Sequence, residues 1–151
     1  QQAGSTHLWF FLSAEDLNTH KYGHKLIMAP GEHTYLDYPQ WNNDLPEYNN
    51  WGMPITSLEQ SYRLDPSYGL PYEQQSHIQG VMATMWAEAI KDVNRVNYMF
   101  FPRGLAIAEA GWSQMEQRSW ESFKERLIPN LQALMLSGVS FRVPFEIFPR
   151  K

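Results

Sequence analysis

The sequence predicts an α/β fold on parallel strands, a partial (β/α)8 TIM barrel supplying three to four βα units. Three observations carry that expectation. Short apolar runs at residues 7–12 (HLWFFL), 25–29 (KLIMA) and 78–86 (IQGVMATMW) read as buried strands. Helical patterns separate them, as parallel strands require, because a tight turn cannot return a chain to the same direction. The chain has 151 residues, whereas a complete barrel typically takes about 250.

The elements follow in order. After the strand at 7–12, Ser13 suits a helix N-cap with Asp16 three residues on, a helix spans 14–21, and Gly23 ends it. The strand at 25–29 stops at Pro30-Gly31. Residues 32–51 are rich in Pro, Asn, Asp and Tyr without a period and read as one long loop. A helix over 56–64 starts with Thr56 as N-cap and Glu59 at the third position. Residues 65–75 are turn-rich, and the strand at 78–86 follows. Residues 92–112 are helical, with Val93, Val96, Phe100, Leu105, Ala108 and Trp112 near one stripe and Pro102 kinking or dividing the segment. The clearest amphipathic helix runs over 119–137: Trp120, Phe123, Leu127, Leu131, Leu134 and Met135 share a face, Pro129 bends it, and Gly138 fits the position just past its end. Residues 139–143 read as a last short strand. No internal repeat or low-complexity segment is visible.

Bulk composition narrows the function. Apolar residues make up 43% of the chain and charged residues 19%, enough to fill a core. The net charge is −4 with no basic run, which argues against nucleic acid as the main partner. No apolar run is long enough to span a membrane. The absence of Cys removes disulfides, thiolate zinc sites and cysteine nucleophiles together. Six Trp, eight Tyr and eight Phe suit a site that stacks rings on sugar C–H faces, although many such rings belong to cores. The chain starts Gln1-Gln2-Ala3-Gly4-Ser5, with neither an initiator Met nor a signal peptide, and is expected to be processed, trimmed or cut from something longer.

Chemistry concentrates at expected strand ends. Tyr35 and Asp37 follow the strand at 25–29, and their i, i+2 spacing points both side chains the same way in extended backbone. A phenol donor beside a carboxylate suits a ligand bearing carbonyl and hydroxyl groups; a turn Asp beside a half-buried Tyr is the structural alternative. Trp86 and Glu88 repeat that spacing at the end of the strand at 78–86, with a core Trp and an exposed Glu as the alternative. Trp51, among Asn49, Asn50 and Gly52, lines a cleft or anchors its loop. The five His show no HExxH arrangement; His20 and His24 are four apart, but Gly23 interrupts any shared helix face. Arg103 and Glu109 are six apart, do not share a helix face, and read as structural residues that pair elsewhere. No phosphate-cradling Gly loop or G-x-S-x-G elbow occurs.

Together, Tyr35-Leu36-Asp37, Trp51, Tyr62-Arg63-Leu64-Asp65-Pro66, Gly80, Trp86-Ala87-Glu88 and Pro102-Arg103 through Trp112-Ser113 resemble glycoside hydrolase family 20, the β-N-acetylhexosaminidases, over roughly residues 25–138. The resemblance implies that 1–151 is the C-terminal part of a catalytic barrel acting on a β-N-acetylhexosaminide glycan without a cofactor. It implies that Tyr35 hydrogen-bonds the carbonyl of the 2-acetamido group, the catalytic contribution of this chain. Asp37 and Glu88 would accept from sugar hydroxyls near O6 and O4, Trp51 and Trp86 would wall the pocket, and Trp9 would be a further wall. The family's reaction is substrate-assisted retention, an exception to the usual two-carboxylate scheme, served by an adjacent Asp-Glu pair. This chain has no Asp-Glu dipeptide, and Glu15-Asp16 is reversed in a first helical turn where acids suit the helix dipole. The acid is therefore expected upstream, and 1–151 is expected to need the missing N-terminal half of the barrel, or to associate with itself to cover its open strand edges. An extracytoplasmic compartment, periplasmic or secreted, is favoured. The alternative is a carbohydrate-binding or structural half-barrel without catalysis.

Overall fold

The computed structural model describes residues 25–42 and 52–149. The expected strand at 7–12, the helix at 14–21, and with them Trp9, Trp51, His20 and His24, lie outside the described residues. Two parallel strands pair, β1 (Leu26–Met28) and β2 (Ile78–Val81), with Leu26 opposite Ile78 and Met28 opposite Val81. The hydrogen bonds continue past both strands. Met82 N–H donates to Met28 O at 2.9 Å, the first strand is then interrupted by one turn of helix, α1 (Gly31–Thr34), and pairing resumes at a parallel bridge between Tyr35 and Thr84. There Thr84 N–H donates to Thr34 O at 3.0 Å and Leu36 N–H to Thr84 O at 2.8 Å. The turn α1 corrects the expectation of an unbroken loop from residue 32. Pro30 O gathers the N–H groups of His33 and Thr34 and the Thr34 hydroxyl, and four residues are too few for a helical period to show in sequence.

The crossover carries α2 (Leu58–Tyr62) and a 3-10 helix at Tyr72–His77. The α2 cap is Ser57 rather than the expected Thr56: Ser57 Oγ accepts from Gln60 N–H at 3.1 Å, while the buried Thr56 hydroxyl donates to Glu32 O at 3.1 Å. After β2 come α3 (Val93–Phe100), capped by Asp92, and α4 (Arg103–Trp112), divided at Pro102 as expected. The single stripe expected across them is corrected. Val93 is 68% and Trp112 91% exposed, and Ala108 faces outward, whereas Met99, Ala106, Ile107 and Ala110 are buried. The break at Pro102 resets the helical phase, so spacing counted across it does not define one face.

The last helix, α5 (Trp120–Leu136), is capped by Ser119 and holds Pro129 inside it. It buries Phe123, Leu127 and Leu131 against Leu58 and Tyr62 of α2 and Ala106 of α4, while Met135 lies off that stripe at 64% exposure. Arg126 ties α5 to α4 by donating to both carboxylate oxygens of Glu109, at 2.8 and 2.6 Å. Gly138 takes φ 69°, with its N–H on Met135 O and the Val139 N–H on Leu134 O, a Schellman closure that glycine permits. No strand forms at 139–143, contrary to expectation. Pro144 offers no N–H to a ladder, and the tail folds back instead: Arg142 stacks on Phe145, and Glu146 Oε1 accepts from Leu58 N–H at the start of α2. A second cluster, Leu36, Leu64, Ile107 and Ala110 with Val81, Met85 and Phe100, seals α4 against the ends of both strands.

Candidate functional site

The parallel bridge between Tyr35 and Thr84 is what builds the site, because it sets the two strand ends level. Tyr35 is buried; its ring lies 5.4 Å from Tyr38 in an edge contact and 6.3 Å from Trp86. Trp86, extended at φ −79° and ψ 138°, is 50% exposed and so keeps a large part of its surface open to solvent. A one-turn 3-10 helix at Ala87–Ala89 follows and carries the exposed Glu88.

Asp37 sits between the two ends. Burial pushes its carboxyl above the ordinary carboxylate value; the backbone N–H groups of Asp37 and Trp86 and the Arg103 charge pull it back, and the Glu88 charge adds to the rise. Its Oδ1 is buried and has no hydrogen-bond partner among the described residues. A buried acceptor left open in this way is a position for a ligand donor. Burial raises the Tyr38 phenol as well, with Asp37 the next cause. The structure thus brings Tyr35, Asp37, Trp86 and Glu88 together.

Sequence reasoning missed Tyr38 here, and read Arg103 as structural without finding its partners. Tyr38 is a buried ring against Tyr35, and its only sequence signal is proximity to the Tyr35-Leu36-Asp37 segment. Arg103, read as structural, is fully buried beneath this segment. It donates to Leu36 O (2.7 Å), Tyr38 O (2.9 Å), Thr56 O (2.9 Å) and Met99 O (2.8 Å). Nothing in the spacing announces contacts that span up to 67 residues. His33, by contrast, is engaged with Gln60 O at 2.6 Å. Among the described residues no group of three or more His, Asp or Glu is placed to hold a metal ion, and no helix is long and apolar enough to cross a membrane.

The α/β architecture has clear relatives. The family model described as glycosyl hydrolase family 20, catalytic domain, matches residues 5–115. A β-hexosaminidase of Akkermansia muciniphila is 46% identical over 118 residues, covering 78% of this chain and 23% of that protein. One from Porphyromonas gingivalis is 30% identical over 128 residues, covering 83% and 16% respectively. Among solved structures, the family 20 exo-β-N-acetylglucosaminidase of Vibrio harveyi in complex with N-acetylglucosamine superposes with a TM-score of 0.76 at 32% identity, over 92% of this chain and 22% of that one. The Streptomyces plicatus N-acetyl-β-hexosaminidase superposes at 0.81 and 25% identity, over 96% and 30%. The fold is accordingly a segment of a (β/α)8 barrel, and the Tyr35–Trp86 grouping lies past the C-terminal ends of its two strands, the end at which such barrels keep their chemistry. The chain belongs to glycosyl hydrolase family 20. It spans about a quarter, or less, of the curated relatives it matches first.

Proposed function

We propose that the protein containing this chain is a β-N-acetylhexosaminidase that removes terminal non-reducing N-acetylhexosamine residues from glycans by substrate-assisted retention. The observation that carries the proposal is the convergence of Tyr35, Asp37 and Trp86 at two level strand ends, with a buried carboxylate oxygen open to a donor. Relatives that bear the β-hexosaminidase name favour this reading over a non-catalytic binding half-barrel.

In this reading the carbonyl oxygen of the substrate's 2-acetamido group attacks the anomeric carbon. The glycosidic bond breaks as an acid, expected upstream of this chain, protonates the leaving oxygen. An oxazolinium-like intermediate results. Water then attacks the anomeric carbon, gives its proton to the conjugate base of that acid, and reopens the ring with retention. Tyr35 donates to the acetamido oxygen and holds it in line, an entropic contribution. Asp37 and Glu88 accept from hydroxyls near O6 and O4. Trp86, with Trp51 and Trp9 from outside the described residues, walls the sugar. The general acid and its neighbouring Asp belong to the missing N-terminal half, with which this segment would close its strand edges.

The test is hydrolysis of a chromogenic β-N-acetylglucosaminide by the full-length protein and by 1–151 side by side. Activity in the full-length protein with none in 1–151 is expected. A folded full-length protein without activity on glucosaminide or galactosaminide would end the proposal.

A further inference from the structure

The segment that carries Asp37 has no regular secondary structure beyond the bridge at Tyr35, yet it is fastened at almost every residue. Leu36 N–H donates to Thr84 O, and Thr56 N–H donates to Pro39 O at 2.9 Å. Arg103 takes Leu36 O and Tyr38 O, the carbonyls on either side of Asp37, with separate guanidinium nitrogens at 2.7 and 2.9 Å. The same two nitrogens hold Met99 O and Thr56 O. Gln40, fully buried two residues further on, donates its side-chain amide to Tyr98 O at 2.9 Å. Both grips run to the end of α3, so the Asp37 segment is fixed to the α3–α4 junction. A fully buried guanidinium is costly to desolvate, and an apolar side chain of similar volume would fill the same space more cheaply. What an apolar side chain cannot do is satisfy four carbonyls from three separate segments in one planar fork.

We propose that Arg103, assisted by Gln40, is a positioning residue of the sugar site: by gripping the carbonyls on both sides of Asp37 it fixes where that carboxylate meets a substrate hydroxyl, and so sets selectivity for that hydroxyl. The inference rests on the reading of Asp37 as a sugar acceptor. The Arg103 charge also acts on the Asp37 carboxyl from beneath, in the direction that keeps it ionised.

The experiment compares kcat/KM of the full-length protein on a chromogenic β-N-acetylglucosaminide with that on its 4-deoxy and 6-deoxy analogues. The ratio is independent of how much enzyme is active, so a loss of stability alone does not move it. The wild type is expected to reject one deoxy analogue by about tenfold or more, the worth of one hydrogen bond to a charged group. Asp37→Asn should erase most of that discrimination. Arg103→Lys, which keeps the charge and loses the fork, and Gln40→Met should each lower it by about threefold or more, because sub-ångström displacement weakens a directional contact. Wild-type discrimination in folded Arg103→Lys and Gln40→Met, beside a collapsed ratio in Asp37→Asn, overturns this inference and leaves the site reading standing. An unchanged ratio in Asp37→Asn overturns the site reading itself. Where Arg103→Lys yields no folded protein, Gln40→Met decides.

Discussion

Gly104→Ala separates a local rule from the tertiary arrangement. The residue lies in the first turn of α4, where helix propensity favours Ala over Gly by up to about 1 kcal/mol. Its surroundings oppose that gain. A Cβ built on Gly104 would fall 2.7 Å from Phe100 Cδ1, with two further atoms of the same ring closer still. The ring must move. Phe100 packs edge-on to Phe101 at 4.9 Å and belongs to the cluster around Leu36, Leu64, Ile107 and Ala110. Overpacking of this kind costs about 1–3 kcal/mol, so against a gain of about 1 kcal/mol the balance is a net loss of up to about 2 kcal/mol. For a protein of this size or larger that lowers Tm by up to roughly 8 °C. Differential scanning calorimetry or urea denaturation of the full-length protein measures it. Phe100→Leu, which shortens the side chain, should be destabilising by itself yet relieve the clash that Gly104→Ala introduces, giving a favourable coupling in the double-mutant cycle. A Gly104→Ala protein more stable than wild type, or a cycle without coupling, would show that the ring is not where the argument needs it.

Four further outcomes are expected. Tyr35→Phe should lower kcat on a β-N-acetylglucosaminide by on the order of a hundredfold, the cost of one lost donor to a reacting oxygen, with little change in KM; an unchanged kcat takes Tyr35 out of the mechanism. Glu88→Gln should weaken binding of a sugar inhibitor while thermal unfolding is preserved, since Glu88 is exposed, and calorimetry showing unaltered affinity contradicts its role. Asp37 has a raised carboxyl, so the folded state holds its proton to higher pH than the unfolded state, and stability falls as pH rises through the window from the ordinary value of 3.8 to the raised one. Asp37→Asn should therefore melt higher than wild type at neutral pH and converge with it below that window, and a variant that melts lower at neutral pH reverses the sign. The isolated chain 1–151 should self-associate in light scattering, because a half-barrel on its own leaves strand edges unpaired; a monodisperse monomer speaks against an open half-barrel.

Local chemistry was legible wherever a single residue decides an element. Pro102 divides α3 from α4 and Gly138 closes the last helix, each by a backbone property that the residue carries with it. Errors came where a tertiary partner chose between near-equal options. Thr56 and Ser57 are both good caps, and the choice falls to Ser57 because Glu32 O claims the Thr56 hydroxyl. Residues 139–143 alternate like a strand, but Leu134 O and Phe101 O take the N–H groups of Val139 and Arg142, and the segment becomes a strap across the helices.

The site divides along the same line. Tyr35, Asp37, Trp86 and Glu88 could be read because they sit just beyond apolar runs, and in a parallel sheet such positions share one end by construction. The supports beneath them could not. Where the β1 ladder is broken by α1 and gives way to the turn after Tyr35, several carbonyls lose their regular partners, and a buried carbonyl must find a donor. Arg103 supplies it from 65 residues away for Tyr38 and 67 for Leu36. Asp37 lies in the irregular backbone just past the bridge at Tyr35, and that irregularity creates the need for a multivalent buried donor. The setting of the Asp37 carboxylate and the buried Arg103 guanidinium are thus tied to one interruption in the strand, and a substitution in either is expected to be felt at the other.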